Sequence, residues 1–533
     1  MRVAEHIVRK LVEEGVEVLF TVPGEQMDAL FGALADTDIR VIHTRHEQGA
    51  AFMAYGYARS TRKIGVYTVI SGPGVLNSTA ALATAYAGDA RILCLASEIP
   101  SPLLGRGYGV PHEVPDQLGI LRRLTGWAER VGTPDQIDAV LGEAFHRLRW
   151  TRPRPVAVEV PTDVWGAEAG DPHRWTGPAV DQHPDAAAVE AAAALLASAK
   201  APLIMVGSGA RGAAAEIQRL AERLRCPVTA DMGGRGIVGD RHELSVTLPV
   251  AHRLWAETDV VLGIGTRLMR PQVEWGLDDN LQIIRVDLDP TEIDRVRPPA
   301  VPLVADATLA VRALLDRVDD APQREDWLAR VKRARDDVEA EAARLVPQVD
   351  FLRAMRAVLP DDGFFVDELT QVGYVSRFAF PIYAHSTYVP VTYQGALGSG
   401  FATALGVQAA NPGRPVLSIS GDGGFLYTAV ELSTAVQQRL PVVAVVFNDR
   451  SYANVSRSQL RSLGATVGTD LHNPDFPAFA KAFGAYGVRA TTPDELAAEI
   501  SAAFGRPDAP TVIEVPVGEM PSPWPLIRLP RVR

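Results

Sequence analysis

Two stretches far apart in the chain nearly repeat each other: Arg-Pro-Val-Ala-Val-Glu-Val-Pro at 154–161 and Ala-Pro-Thr-Val-Ile-Glu-Val-Pro at 509–516. Each is a short run of strand-forming residues opened and closed by proline. Each also stands at the end of a long segment in which amphipathic helix patterns alternate with apolar strand patterns, the signature of a parallel α/β sheet. The repeat therefore predicts one α/β unit used twice.

The spacing of apolar runs sets out the rest. Strands are expected over 16–22, 40–44, 65–70, 91–96 and 155–160 in a first domain, 1–165. A Gly-, Pro-, His- and Asp-rich stretch without periodicity makes 166–185 a linker. Strands at 202–207, 227–230, 260–265 and 282–287 define a middle domain, 186–322, and a charged helix within 323–349 leads to a third domain, 350–533. The expected fold class is α/β, three consecutive doubly wound parallel-sheet domains with the first and third alike.

In the third domain one strand runs into Gly421-Asp422-Gly423-Gly424-Phe425, and the next, Leu-Pro-Val-Val-Ala-Val-Val-Phe, runs into Asn448-Asp449. Adjacent parallel strands bring such loops to one sheet edge. Asp422 and Asp449 then offer hard oxygens to Mg²⁺ or Ca²⁺, ions that share their shell readily with phosphate oxygens. Gly421, Gly423 and Gly424 let backbone N–H groups come close to a phosphate.

With these residues in view, the chain resembles the thiamine diphosphate-dependent enzymes of the acetolactate synthase, pyruvate decarboxylase and benzoylformate decarboxylase superfamily, nearest the acetolactate synthase-like branch. Their fingerprint is Gly-Asp-Gly followed some two dozen residues later by Asn-Asn, and Asp449 departs from it by replacing the second Asn. The resemblance implies a pyrimidine-binding, a middle and a diphosphate-binding domain, with thiamine diphosphate and Mg²⁺ (or Ca²⁺) as cofactors. It makes Asp422, Asp449 and the Ser451 carbonyl the metal ligands. Glu47, in Thr-Arg-His-Glu-Gln-Gly-Ala-Ala, matches the catalytic glutamate that sits on N1′ of the cofactor's pyrimidine and so helps its C2 lose a proton. Leu397 matches the apolar wedge between the cofactor's rings, and Gly395 the carbonyl facing its amino group. Pro23, Gly24, Gly72, Asn77, Thr370, Gln371 and Tyr452 complete the expected cofactor contacts. The family builds its site between subunits, so a homodimer is the minimum and a homotetramer the expected assembly.

The same resemblance points to decarboxylation of a 2-oxo acid with carboligation to a carbonyl acceptor, as in the acetolactate synthases; simple decarboxylation, a flavin-linked oxidation and hydrolysis of a diketone are the alternatives. His112 and Gln117 are candidate proton donors. On the helix after the metal site, Asn454 and Ser458 stand where acetolactate synthases carry Met and Trp, so the pocket is more polar, and Asn454 and Arg457 are the candidate substrate residues. Relatives place FAD or ADP on the middle domain, but the lone Gly-x-Gly at Gly207-Ser208-Gly209 does not specify it, and FAD is not expected.

A net charge of −11 with scattered basic residues argues against a nucleic-acid partner. Two cysteines, Cys94 and Cys226, in apolar surroundings argue against a disulfide framework. Charges in the first residues and no apolar run of membrane length lead to the expectation of a cytoplasmic protein away from membranes.

Overall fold

A computed structural model describes residues 1–171, 173, 175–319 and 324–533. Positions 172 and 174 of the expected linker lie outside the described residues, as do 320–323, where the middle domain is expected to give way to the connecting helix.

The chain forms three six-stranded sheets, each wholly parallel. The first contains β1 (Val18–Thr21), β2 (Arg40–His43), β3 (Gly65–Val69), β4 (Ile92–Glu98), β5 (Trp127–Arg130) and β6 (Val156–Pro161), in the spatial order β2-β1-β3-β4-β6-β5. The second contains β7 (Pro202–Val206), β8 (Val228–Ala230), β9 (Ser245–Val246), β10 (Val260–Ile264), β11 (Gln282–Asp287) and β12 (Val301–Val304), ordered β12-β11-β10-β7-β8-β9. The third contains β13 (Phe364–Val366), β14 (Tyr388–Val389), β15 (Val416–Gly421), β16 (Val443–Asn448), β17 (Tyr486–Arg489) and β18 (Thr511–Pro516). Its order, β14-β13-β15-β16-β18-β17, repeats that of the first strand for strand. The α/β class is thus as the apolar runs predict, and the near-repeat marks β6 and β18, equivalent strands of equivalent sheets.

In the first two sheets the strands that the periodicity does not mark lie at sheet edges, although the edge strand Arg40–His43 is among those predicted. Trp127–Arg130 buries one residue of four, and Val301–Val304 alternates buried with exposed, so neither forms the continuous apolar run that marks a strand covered on both faces.

Helix α1 (Glu47–Thr61) joins the first and third sheets. It crosses α3 (Ser399–Ala410), with α2 (Pro73–Ala87) beside it, and Phe52, Tyr55, Phe401 and Leu405 pack in one shared core. A Cβ on Gly56 would stand 2.1 Å from the Thr403 carbonyl oxygen, and one on Gly406 1.9 Å from that of Met53. Backbone touches backbone there, which only glycine permits. No helix among the described residues is long and apolar enough to cross a membrane.

Candidate functional site

The third sheet presents its carboxylates by register. Gly421 pairs with Phe447, so Asp422, opening α4 (Asp422–Thr428), stands beside Asn448 and Asp449 at the strand ends. Asn473 bridges them, its Nδ2 donating to Asp422 Oδ2 at 2.6 Å and to Asn448 Oδ1 at 2.9 Å. Asp449 Oδ2 accepts from Gln371 Nε2 at 2.8 Å and its Oδ1 from the Ser451 N–H at 3.1 Å. Burial pushes the Asp422 carboxyl above its ordinary range, with Asn473 opposing. Asp449 is pushed up to about 6, first by burial and then by the negative charge of Asp422. Two neighbouring carboxylates in a largely buried place, the charge of Asp422 disfavouring that of Asp449, make an arrangement suited to a cation. Among the described residues no cluster of three or more His, Cys, Asp and Glu side chains could hold a metal, so further ligands here would be amide, hydroxyl, backbone or ligand oxygens. Ser451, the expected third ligand, lies next to the pair in a short antiparallel bridge with Asp470.

The glycines after the strand have a second reason to exist. A Cβ on Gly423 would stand 2.6 Å from the Tyr452 ring, and one on Gly424 2.7 Å from Glu368 Oε1. Glu368 is buried and takes the Gly398 N–H. Burial pushes its carboxyl up to about 7 against the pull of the Ser420 hydroxyl and the Gly398 and Gly400 amides. Gly398, at φ 79°, is left-handed, and its carbonyl accepts from Thr428 Oγ1 at 2.9 Å. The half-buried Leu397 therefore projects from a loop fastened on both sides, with Gly395 at φ 61° before it. Ser399 Oγ, at the start of α3, is buried without a hydrogen-bond partner.

The first sheet supplies the acid. Glu47 is half-buried as the first residue of α1, and its Oε2 accepts from Asn77 Nδ2 of α2 at 2.9 Å. Asn77 thus orients Glu47. Gly24 packs against Ile70, Pro23 is exposed beside it, and Ser71 Oγ donates to Gln26 Oε1 at 2.9 Å, so the loops after β1 and β3 lie together. Gly72, at φ 62°, faces the His112 carbonyl, 2.5 Å from where a Cβ would be. His112 itself has φ 69° and a buried, unpartnered Nδ1. Its loop is shaped by Glu113, whose carboxylate takes the N–H groups of Gly107, Gly109 and Val110. Among the described residues, Glu47 and the Asp422–Asp449 pair share no hydrogen-bond partner.

Four residues assigned from sequence also make contacts within the chain. Gln117 has no proton to offer: its Nε2 donates to the Ser97 carbonyl and to Glu159 Oε1, both at 2.9 Å, while its Oε1 accepts the Gly72 N–H at 2.7 Å. Arg457 is spent on the chain itself, bonding Gln371 Oε1, the Met520 carbonyl at 2.7 Å and the Glu519 carboxylate at 3.3 Å. Thr370 caps the helix Gln371–Ala379 through the Gly373 N–H, and Gln371 spans Asp449, the Gly518 carbonyl and the Met520 N–H. Thr370 thus fixes the start of that helix, and Gln371 the edge that carries Asp449. Asn454 remains free on α5 (Ala453–Leu463), a helix with no buried residue. Glu368, Asn473 and Glu431 were not foreseen. The signal for Glu431 is an acid inside the apolar run Phe-Leu-Tyr-Thr-Ala-Val-Glu-Leu.

Two like sheets that end in such different side chains, joined through one helix core, define a multidomain α/β enzyme that works with a cofactor. Known proteins say which. Residues 1–120, 189–314 and 370–515 match the N-terminal TPP binding domain, the central domain and the C-terminal TPP binding domain of thiamine pyrophosphate enzymes. The chain is 34% identical over 527 residues to the probable 2-ketoarginine decarboxylase AruI of Pseudomonas aeruginosa, covering 96% of this chain and 93% of that one. It is 30% identical over 540 residues to the probable acetolactate synthase large subunit of Methanocaldococcus jannaschii, covering 95% and 90%. To the acetolactate synthase large subunit of Corynebacterium glutamicum it is 30% identical over 560 residues, covering 98% and 88%. The chain belongs to the thiamine pyrophosphate enzymes. The donor set fits that cofactor: among the described residues the Asp422 and Asp449 carboxylates have no arginine or lysine within ion-pair distance, and the buried Ser399 hydroxyl has no hydrogen-bond partner.

Proposed function

We propose that this protein decarboxylates a polar 2-oxo acid with thiamine diphosphate and a divalent cation, and that two copies of the chain complete each site. The observation that carries the reading is the pair Asp422 and Asp449, two mutually repelling carboxylates at one sheet edge, set against a helix-opening glutamate on the duplicated sheet. Bound thiamine diphosphate supplies a carbon acid whose conjugate base attacks the 2-oxo carbonyl and accepts the electron pair left by CO₂. Asp422 and Asp449 would hold the cation, which would offset the negative charge of the diphosphate. Glu47, held by Asn77, bonds the pyrimidine nitrogen and manages its proton. Leu397 would pack against the bound cofactor, and His112, whose loop meets Gly72 through its backbone, would be the candidate to pass a proton.

Asn454 and Ser458 on an exposed polar helix, and the likeness to a relative whose name specifies 2-ketoarginine, favour a polar donor and a protonated aldehyde product. The acetolactate synthase relatives support the second reading, in which a carbonyl acceptor takes the place of the proton and a hydroxyketone forms. The deciding experiment is incubation with cofactor and Mg²⁺ and a panel of 2-oxo acids, pyruvate and a guanidinium-bearing one included, with CO₂ and products read by mass spectrometry. Aldehyde from the polar donors supports the first reading; acetohydroxy acid from pyruvate alone overturns it in favour of the second.

A further inference from the structure

Glu431 belongs to the third sheet's unit but serves the first. It ends the 3-10 turn Ala429–Glu431 that continues directly from α4, and its side chain is wholly buried. Its Oε1 accepts the backbone N–H groups of Arg45 and His46, each at 3.1 Å, and its Oε2 that of Arg45 at 3.2 Å. Thr434 Oγ1 fixes the carboxylate from behind, donating to Oε2 at 2.6 Å. Arg45 and His46 are the two residues before Glu47. A Cβ on Gly49 would stand 2.4 Å from Glu431 Oε1, so α1 starts directly against this group.

A helix start needs acceptors for its first N–H groups. His46 Nδ1 takes only the Gln48 N–H, at 3.1 Å, and the acceptor for the preceding two amides comes from another domain. The contact is not a generic adhesive. Burial alone pushes the Glu431 carboxyl up, so an acid is a costly way to join two surfaces. Around it the surfaces are already joined by neutral acceptors: Arg45 donates to Ser433 Oγ and Gln437 Oε1, the His43 ring meets Gln437 Oε1, and Arg40 meets the Gln438 carbonyl. What the carboxylate adds is a pair of charge-assisted bonds to one peptide segment.

We propose that Glu431 is a positioning residue for Glu47: it fixes the backbone from which Glu47 projects and ties that backbone to the segment carrying Asp422. The functional half of this rests on the role assigned to Glu47 above; the anchoring half does not. Hydrogen exchange of the protein without cofactor, compared with Glu431→Ala and Glu431→Gln, reads the anchor. The Arg45 and His46 amides should exchange at least about tenfold faster in Glu431→Ala while the rest of α1 stays protected. With cofactor and substrate, kcat should fall about 10–100-fold. KM and cofactor affinity should stay within about threefold, with part of the rate restored in Glu431→Gln, which keeps one acceptor. If Glu431→Ala does not fold, Thr434→Val, which removes only the hydroxyl orienting the carboxylate, should show the same changes in smaller degree. Unchanged exchange at Arg45 and His46, or an equal loss of rate and cofactor affinity, overturns the proposal. A Glu47→Gln enzyme with undiminished rate would instead overturn the role of Glu47 and leave the exchange result to decide the anchor.

Discussion

The first and third sheets share strand order and one buried device, yet their C-terminal edges do different chemistry. In each, the glutamate of the repeated strand takes an amide on one oxygen and an arginine on the other. Glu159 Oε1 accepts from Gln117 Nε2 at 2.9 Å, and its Oε2 meets Arg130. Glu514 Oε1 accepts from Asn448 Nδ2 at 2.7 Å, and its Oε2 meets Arg489 at 2.8 Å. The register is the same too, Glu159 lying between Ala96 and Arg130 and Glu514 between Val446 and Arg489. Above this shared floor the sheets part. Gln117 passes the order on to Gly72, whereas Asn448 passes it to Asn473 and so to Asp422. The first sheet's extra acid, Glu98, shares Arg130 at 3.5 Å. Among the described residues, Asp422 and Asp449 have no arginine or lysine within ion-pair distance. A duplicated fold has thus been divided into an internally balanced half, whose paired acids share an arginine, and an unbalanced half, whose paired acids have none, the imbalance that the proposed cation would offset. Glu47, at the opposite rim of the balanced half, is free to take up a proton role.

The largest test of that division is at Glu47. Glu47→Gln should lower kcat by about 10²–10⁴-fold while cofactor binding, followed by titration calorimetry with Mg²⁺ present, stays near that of the parent enzyme. Loss of binding instead of rate would mean that the first sheet, too, is a docking edge. Asp422→Ala should do the reverse. Cofactor affinity should drop about 10–100-fold, and the equilibrium should recover with excess Mg²⁺ and cofactor. A variant that binds as tightly as the parent would place the cation elsewhere.

How far the sequence went follows the same division. Most strands of the first two sheets were legible as short apolar runs, the edge strand Arg40–His43 among them; Trp127–Arg130 and Val301–Val304, where buried residues are interrupted by wetter ones, were not, and neither was the short buried strand Phe364–Val366. Glu47, Asp422 and Asp449 stood out since each follows directly on a strand end or opens a helix, a local pattern. For Gln117 and Arg457 the sequence shows that an amide or a guanidinium is present but not which contacts within the chain it makes, and the fold supplies those. Glu431 and Asn473 act across long separations in the chain, and only the folded register brings them to the loops they serve.

The internally balanced half makes a pH prediction. Glu98 is pushed up to about 7, first by burial and then by the Glu159 charge, whereas an unfolded glutamate titrates near ~4.3. Between those values the folded chain keeps a proton that the unfolded chain has released. Glu98 therefore contributes its full stability below that window, and the contribution falls as pH rises through it. Urea midpoints of the parent should decline relative to Glu98→Gln between about pH 5 and about pH 7 and run parallel above. A parent curve that rises relative to the variant would show that Arg130 outweighs burial and holds Glu98 ionised.

The smallest expected effect lies at the position where the third sheet carries an acid in place of an amide. Asp449→Asn keeps one oxygen for a cation and removes the charge that Asp422 opposes. The Gln371 Nε2 donor at 2.8 Å can bond an amide oxygen as readily as a carboxylate. The gain in relieved repulsion and the loss in attraction for the cation then act in opposite directions at the same few ångströms. Cofactor affinity should move by no more than about threefold in either direction, read by the same calorimetry as for Asp422→Ala. A loss approaching that of Asp422→Ala would show that both carboxylates are needed to bind the cation, and that the unbalanced half depends on its full charge and not on ligand geometry alone.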